Sequence, residues 1–204
     1  MNNIFAKNVP GMTEALSNAT IGIAGCGGLG SNAAVALVRA GIGNLIIADY
    51  DIVESSNLNR QYFFSDDIGK KKVKALEEKL LQINPQCLIK VVDKKLGKCD
   101  ICHVFSKVDI LVEAFDKAES KQWLIEEWST IYPEKPIISG NGIGGYGKIN
   151  ELEVKKIGSL YFCGDGKSSE EEGLCSARVS IVANMQASLA IELLMSKQSK
   201  TNER

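Results

Sequence analysis

The hexapeptide "GCGGLG" at 25–30 constrains this chain more than any other stretch. It stands between a β-branched apolar run, "ATIGIAG" (19–25), and an Ala-, Leu- and Val-bearing segment at 31–40. Gly25, Gly27 and Gly30 fit the spacing GxGxxG, with Gly28 beside them. Glycines at such a strand-to-helix turn let the backbone approach a phosphate and leave the unpaired N–H groups of the helix N-terminus facing the anion. The next run, "GIGNLIIADYD" (41–51), supplies a helix stop, a buried-type strand and the acids Asp49 and Asp51. Asp49 lies 19 residues beyond Gly30 at the strand end, where a carboxylate can accept ribose hydroxyls. One βαβ unit thus closes within about thirty residues, as nucleotide binding of this type requires. A glycine-rich turn followed by a surface acid is the weaker alternative.

The alternation continues. Val73, Leu76, Leu80 and Ile83 recur at helical spacing before Pro85, and "CLIKVVD" (87–93) reads as a strand. "VDILVEA" (108–114) is another strand, Leu124, Trp128 and Ile131 stripe a helix closed by Pro133, and "KPIISGN" (135–141) is a further strand. The expectation is an α/β, Rossmann-like open sheet, mostly parallel, with helices on both faces. From Gly142, "GIGGYGKINELEVKK" alternates in part and suggests antiparallel strands added at one edge. Residues 158–176 read as a long functional loop, and a last helix carries Ala183, Ala187, Ala190 and Leu194 before a frayed tail at 197–204. At 204 residues one domain is expected, with a nucleotide-binding core over about 19–141 and an edge, crossover loop and final helix over about 142–196.

Composition narrows the function. A formal charge of -1 gives no reason to expect nucleic acid. No apolar stretch approaches the roughly 20 residues that cross a bilayer. The start lacks a basic stretch followed by an apolar run, so a cytoplasmic location with reduced thiols is expected. The string "CDICH" (99–103) matches a haem-attachment pattern, but Ile101, Val104 and Phe105 favour a packed helix with core thiols. His103 is the only histidine, which leaves a hydride-transfer site without its commonest proton carrier.

The polar string "NLNRQYFFSDDIGKKK" (57–72) is more than an intact dinucleotide needs. A triphosphate under attack gains charge on its transferring and leaving oxygens, which Arg, Lys and Mg²⁺ offset. Arg60 offers a planar fork, one of the lysines 70–72 a point charge, and Asn57 and Gln61 orienting amides. Together "GCGGLGSN", "ADYDIVESSNLNRQ", "GKKKVKALEEKLLQINP" and "FDKAESK" resemble the ThiF/MoeB/HesA superfamily, relatives of the ubiquitin-activating enzymes, from about residue 10 to 195. The segment "YFCGDG…EEGLCSARV" is similar to the compact ThiF-like subgroup of thiamine biosynthesis.

That resemblance implies ATP-dependent adenylylation of the C-terminal Gly-Gly carboxylate of a small ubiquitin-like sulfur carrier, by a homodimer, with Mg²⁺. It places Asp49 on the ribose, Asn57, Arg60, Gln61 and Lys72 around the phosphates, and Asp116 on the metal. It makes Cys175 a candidate for sulfur transfer. Cys163 stands alone in "CGDG" with no second CxxC pair, so no zinc site is expected. Lys117 and Lys121 stand where relatives carry Asn and Arg, and Lys7 where some carry an Arg that enters the partner's site. The nucleophile is already a carboxylate, so no general base is needed. Three alternatives stay open: a carrier of the molybdopterin or cysteine pathways, an NAD-linked oxidoreductase, and a scaffold that binds nucleotide or carrier without turnover.

Overall fold

The computed structural model of the protein describes residues 4–202, with side chains through Gln198. In chain order the elements are α1 (Met12–Ser17), β1 (Thr20–Ala24), α2 (Gly28–Ala40), β2 (Asn44–Asp49), α3 (Lys72–Ile83) and β3 (Leu88–Asp93). They continue with α4 (Ile101–Val104), β4 (Ile110–Glu113), α5 (Ala118–Ile131), β5 (Ile137–Gly140), β6 (Glu153–Ile157), β7 (Leu160–Gly164) and α6 (Ser176–Asn202). Seven strands form one sheet in the order β3-β2-β1-β4-β5-β7-β6. All neighbours pair in parallel except β6 with β7. This is the expected mostly parallel architecture with an antiparallel edge.

Strand period divides the core in two. Ile21, Ile23, Leu45, Ile47, Ile110 and Val112 point to the face covered by α2, α3 and α6. Ala24, Ile46, Ala48 and Leu111 point to the other face, against Ile101, Phe105, Leu124 and Trp128 of the α4–α5 side. Gly22 lies under Phe105, where an added Cβ would come within 2.7 Å of the ring. Trp128 is fully buried, its indole N–H donating to the Lys135 carbonyl at 3.0 Å and its ring 4.7 Å from that of Tyr132. Truncating Phe105 to Ala would cost about 3–5 kcal/mol by the usual large-to-small scale.

Five expectations are corrected. Residues 158–176 are not all loop: "LYFCG" forms β7, seated between β5 and β6, and the loop begins at Asp165. The glycine-punctuated residues 142–152 contain only a single bridge, Gly145 to Leu174, and a short 3₁₀ turn, so the added edge strand is β6 alone with β7 inside it. Helix α6 runs to Asn202, into the stretch expected to fray. Its Ser176–Gln198 portion also reaches membrane-spanning length and mean hydropathy, contrary to the reading that no segment does. That hydropathy has a local cause, because Val179, Val182, Ala183, Ala187 and Ala190 are buried in the core α6 shares with α2. Finally, Cys99 and Cys102 are exposed, whereas Ile101 and Phe105 are buried: the 99–105 segment turns these apolar residues inward and its thiols outward.

Candidate functional site

The chain runs from β1 outward to β2 and β3, then returns to β4 on the other side of β1. That reversal opens a crevice at the carboxyl ends of β1 and β4, the usual ligand position in such sheets. Gly25 turns out of β1 with φ +97, and an added Cβ would lie 2.6 Å from the Ala114 carbonyl oxygen. A Cβ on Gly30 would collide with the Gly25 carbonyl. Both glycines are therefore required by close packing, and α2 starts at Gly28 with its N-terminal N–H groups facing the crevice.

Asp49 ties this loop to β2. Its Oδ2 accepts the Cys26 N–H at 2.6 Å and its Oδ1 the Asp51 N–H at 2.8 Å. A carboxylate offers about four acceptor positions, so ribose hydroxyls can still be held. Burial first, then the Asp49 charge, pushes the Cys26 thiol well above its ordinary pKa, with Lys72 opposing. Cys26 is thus an inert wall atom of the loop rather than a nucleophile.

The cleft has a volume of about 350 Å³ and gathers Gly25, Gly27, Gly28, Asp49, Asp51, Arg60, Gln61, Lys72 and Asp116 on its walls. Arg60 lies over the start of α2, its Cγ 3.6 Å from where a Gly28 Cβ would stand. Its Nη1 donates to the Ser56 carbonyl at 3.0 Å and to Asn59 Oδ1 at 2.7 Å. Lys72 is only 7% exposed and pairs with Asp51 at 3.0 Å. Gln61 is 8% exposed, and its Oε1 is a buried acceptor without a partner among the described residues. Asp116 is exposed, and its Oδ1 accepts the Lys117 N–H at 2.8 Å.

Other expected residues fall outside the walls. Asn57 is buried in a 3₁₀ turn, where its Oδ1 accepts the Glu54 N–H at 3.0 Å and its carbonyl accepts the N–H groups of Arg60 and Gln61. It builds the turn that presents those two side chains. Gly30 supports the loop from behind, and Cys175 and Lys7 do not line the cleft. Lys121 is held elsewhere: its Nζ reaches Glu113 Oε2 at 2.9 Å, Glu113 Oε1 at 3.3 Å and the Gly140 carbonyl at 3.1 Å. Glu113 itself is 0% exposed and also accepts the Ser139 hydroxyl at 2.6 Å and the Phe115 N–H at 2.7 Å. This network braces the strand end two residues before Phe115 and three before Asp116.

Several wall residues escape the sequence reading. Lys94, Lys95 and Leu96 close one side from the end of β3, and Phe115 and Trp123, with ring centroids 6.0 Å apart, supply an apolar wall from β4 and α5. The signal that could find the lysines is their place just past a strand carboxyl end. Tyr50, Glu119, Ser120 and Glu170 are further polar walls that the sequence reading missed. Five cations (Arg60, Lys72, Lys94, Lys95, Lys117) face five carboxylates (Asp49, Asp51, Asp116, Glu119, Glu170). A polyphosphate entering this balanced cleft would need a cation with it.

The loop after β7 is anchored above the cleft by Asp165. Burial works to raise its carboxyl, but the N–H groups of Ser168 and Lys167, the Ser168 hydroxyl and Arg178 outweigh it and hold the pKa below the ordinary value. Arg178 pairs with Asp165 and donates to the Gly147 carbonyl at 2.6 Å, which links α6 to both glycine-rich loops.

A doubly wound α/β sheet with a glycine cradle, a strand-end acid and convergent cations at the switch point defines a nucleotide-site class of protein. The particular family follows: residues 2–204 match the ThiF family, and the chain belongs to it. It is 30% identical over 188 residues to the adenylyltransferase and sulfurtransferase UBA4 of Eremothecium gossypii, covering 88% of this chain and 42% of that protein. It is 29% identical over 188 residues to the molybdopterin-synthase adenylyltransferase of Escherichia coli, covering 89% of this chain and 75% of that one. Among solved structures, the E. coli tRNA N6-threonylcarbamoyladenosine dehydratase TcdA, in complex with ATP, shares the fold with a TM-score of 0.85, 24% identity and coverage of 94% and 91%.

Proposed function

We propose that this protein is an ATP-dependent adenylyltransferase that activates the C-terminal Gly-Gly carboxylate of a small ubiquitin-like sulfur carrier. The observation that carries the reading is the convergence of the glycine cradle, Arg60, Lys72 and Asp116 on one cleft. Relatives named adenylyltransferases support it. A carboxylate oxygen attacks the α-phosphorus of ATP, the bond to the α–β bridging oxygen breaks, and pyrophosphate leaves. No proton moves in that step, in keeping with a cleft whose walls include no histidine.

In this scheme the N-terminus of α2 receives phosphate oxygens, and Lys72 adds a buried charge shared with Asp51. Arg60 exchanges its contacts within its own turn for the phosphates. Gln61 Oε1 takes a donor from the ligand, and Asp49 holds ribose hydroxyls. Asp116 would hold a Mg²⁺, which would neutralise charge on the phosphates. Among the described residues no cluster of three or more His, Cys, Asp or Glu side chains could hold a metal ion by itself.

The similarity of 161–179 to the compact ThiF-like subgroup favours a ThiS-like carrier and the thiamine route, with a molybdopterin-type carrier as the alternative suggested by the E. coli relative. Exposed Tyr50, which lines the cleft, and exposed Ile52, Phe64 and Ile68 support a homodimer, which light scattering would test. The functional test is carrier-dependent exchange of labelled pyrophosphate into ATP. Exchange with either purified carrier, lowered about 10²–10³-fold in R60A while carrier binding persists, is the expected result; R60A exchanging like wild type would refute the role of Arg60.

A further inference from the structure

The nucleotide reading leaves "CDICH" unused, although Cys99 and Cys102 are exposed while Cys26, Cys87 and Cys163 are buried. Cys99 sits in a 3₁₀ turn, Lys98–Asp100, that runs directly into α4. In 3₁₀ geometry side chains at i and i+3 eclipse one another. The Cys102 thiol accordingly points back over that turn and donates to the Cys99 carbonyl at 3.5 Å. No group of three or more metal-type ligands surrounds them among the described residues, so paired-thiol chemistry suits the site better than metal binding.

We propose that Cys99 and Cys102 form a thiol–disulfide exchange site for low-molecular-weight disulfides, coupled to the neighbouring wall of the cleft. One thiolate attacks the small disulfide, giving a mixed disulfide and releasing one small thiol. The second thiolate attacks the protein-side sulfur, closes the Cys99–Cys102 bond and releases the other small thiol. Two cysteine protons are lost, and the small disulfide is reduced by two electrons. Lys98 beside Cys99 suits an anionic disulfide.

The coupling is mechanical. A disulfide holds its two Cβ atoms about 3.5–4.5 Å apart, so closure fixes the Cys99 and Cys102 side chains against one another and stiffens the turn between them. Asp100 lies inside that turn, and its carboxylate accepts Lys94 Nζ at 2.7 Å and the Gly97 N–H at 2.9 Å. Lys94 and Leu96 are cleft walls. Closing the bond therefore stiffens the β3 side of the site.

The coupling rests on the nucleotide reading; the disulfide does not. The native chain is treated with oxidised glutathione, free thiols are blocked, and intact mass and peptide maps are read alongside the Kd for ATP by calorimetry. Expected are a loss of two hydrogens mapped to Cys99 and Cys102, and ATP binding weakened about fivefold or more, the scale of ordinary coupling between sites. C99S and C102S should each keep one glutathione adduct on the remaining cysteine. Stable adducts on both cysteines of the wild type, or no reaction, would overturn the exchange site. An unchanged Kd after closure would overturn the coupling. If the reduced protein binds no ATP, the nucleotide reading and the coupling fall together, and the mass readout still decides the exchange site.

Discussion

Lys121 offers the sharpest test of how the cleft is held, because family resemblance places a nucleotide-facing Arg at that position while the structure turns the lysine inward. Removing its charge in K121M leaves the Glu113 carboxylate, 0% exposed, without its cation. Breaking one side of a buried pair typically costs 3–5 kcal/mol. The Ser139 hydroxyl and Phe115 N–H remain on Glu113, and the Lys121 side chain is 22% exposed, which puts the loss near the low end, about 3 kcal/mol. For a domain of this size that is a fall in Tm of about 6–12 °C. K121R retains a cation and two donors and should lose about 1 kcal/mol or less, while E113Q/K121M should recover most of the loss. Urea unfolding of the four proteins measures these differences. A K121M protein as stable as wild type but with weakened ATP binding would refute the bracing role and return Lys121 to the nucleotide.

The other expectations are simpler. R60A should lower pyrophosphate exchange about 10²–10³-fold, the scale for losing one positioned charge donor, with urea midpoint unchanged, as steady-state exchange and unfolding together would report. G28V should abolish ATP binding seen by calorimetry, because a Cβ there already meets Val179 Cγ1 at 2.9 Å and Arg60 Cγ at 3.6 Å. Because the folded-state pKa of Asp165 is lowered, its contribution is present above the unfolded value and lost as pH falls through the folded one. Hydrogen exchange in residues 165–175 should therefore quicken below about pH 4 in wild type, and show no such step in D165N.

Much of this architecture was legible because local period and tertiary burial agree. The βαβ start reads directly, since the glycines that break helix and strand are those the close approaches at Gly25 and Gly30 demand. Strand β7 was overlooked although Gly158 and Ser159 form a two-residue turn between it and β6, a hairpin signal that the glycine, serine and glutamate of the following loop hid. The exposed thiols were missed because a cysteine's average burial says nothing of which side of a short turn or helix it occupies, Cys99 in the 3₁₀ turn and Cys102 in α4. At the site, Asp49, Arg60, Gln61, Lys72 and Asp116 were named from the chain and meet in one cleft. Lys94, Lys95 and Trp123 join them only through the order of strands in the sheet. Asn57 and Lys121 look like ligand groups by chemistry, and only their hydrogen bonds to Glu54 and Glu113 give them structural work.

The most direct measurement follows the carrier's own oxygen. A carrier whose C-terminal carboxylate bears a heavy oxygen isotope is incubated with the enzyme and ATP, and the adenylate is cleaved with hydroxylamine. Attack at the α-phosphorus leaves one heavy oxygen on AMP, with one pyrophosphate per AMP. Unlabelled AMP, or ADP and phosphate in its place, would contradict the account.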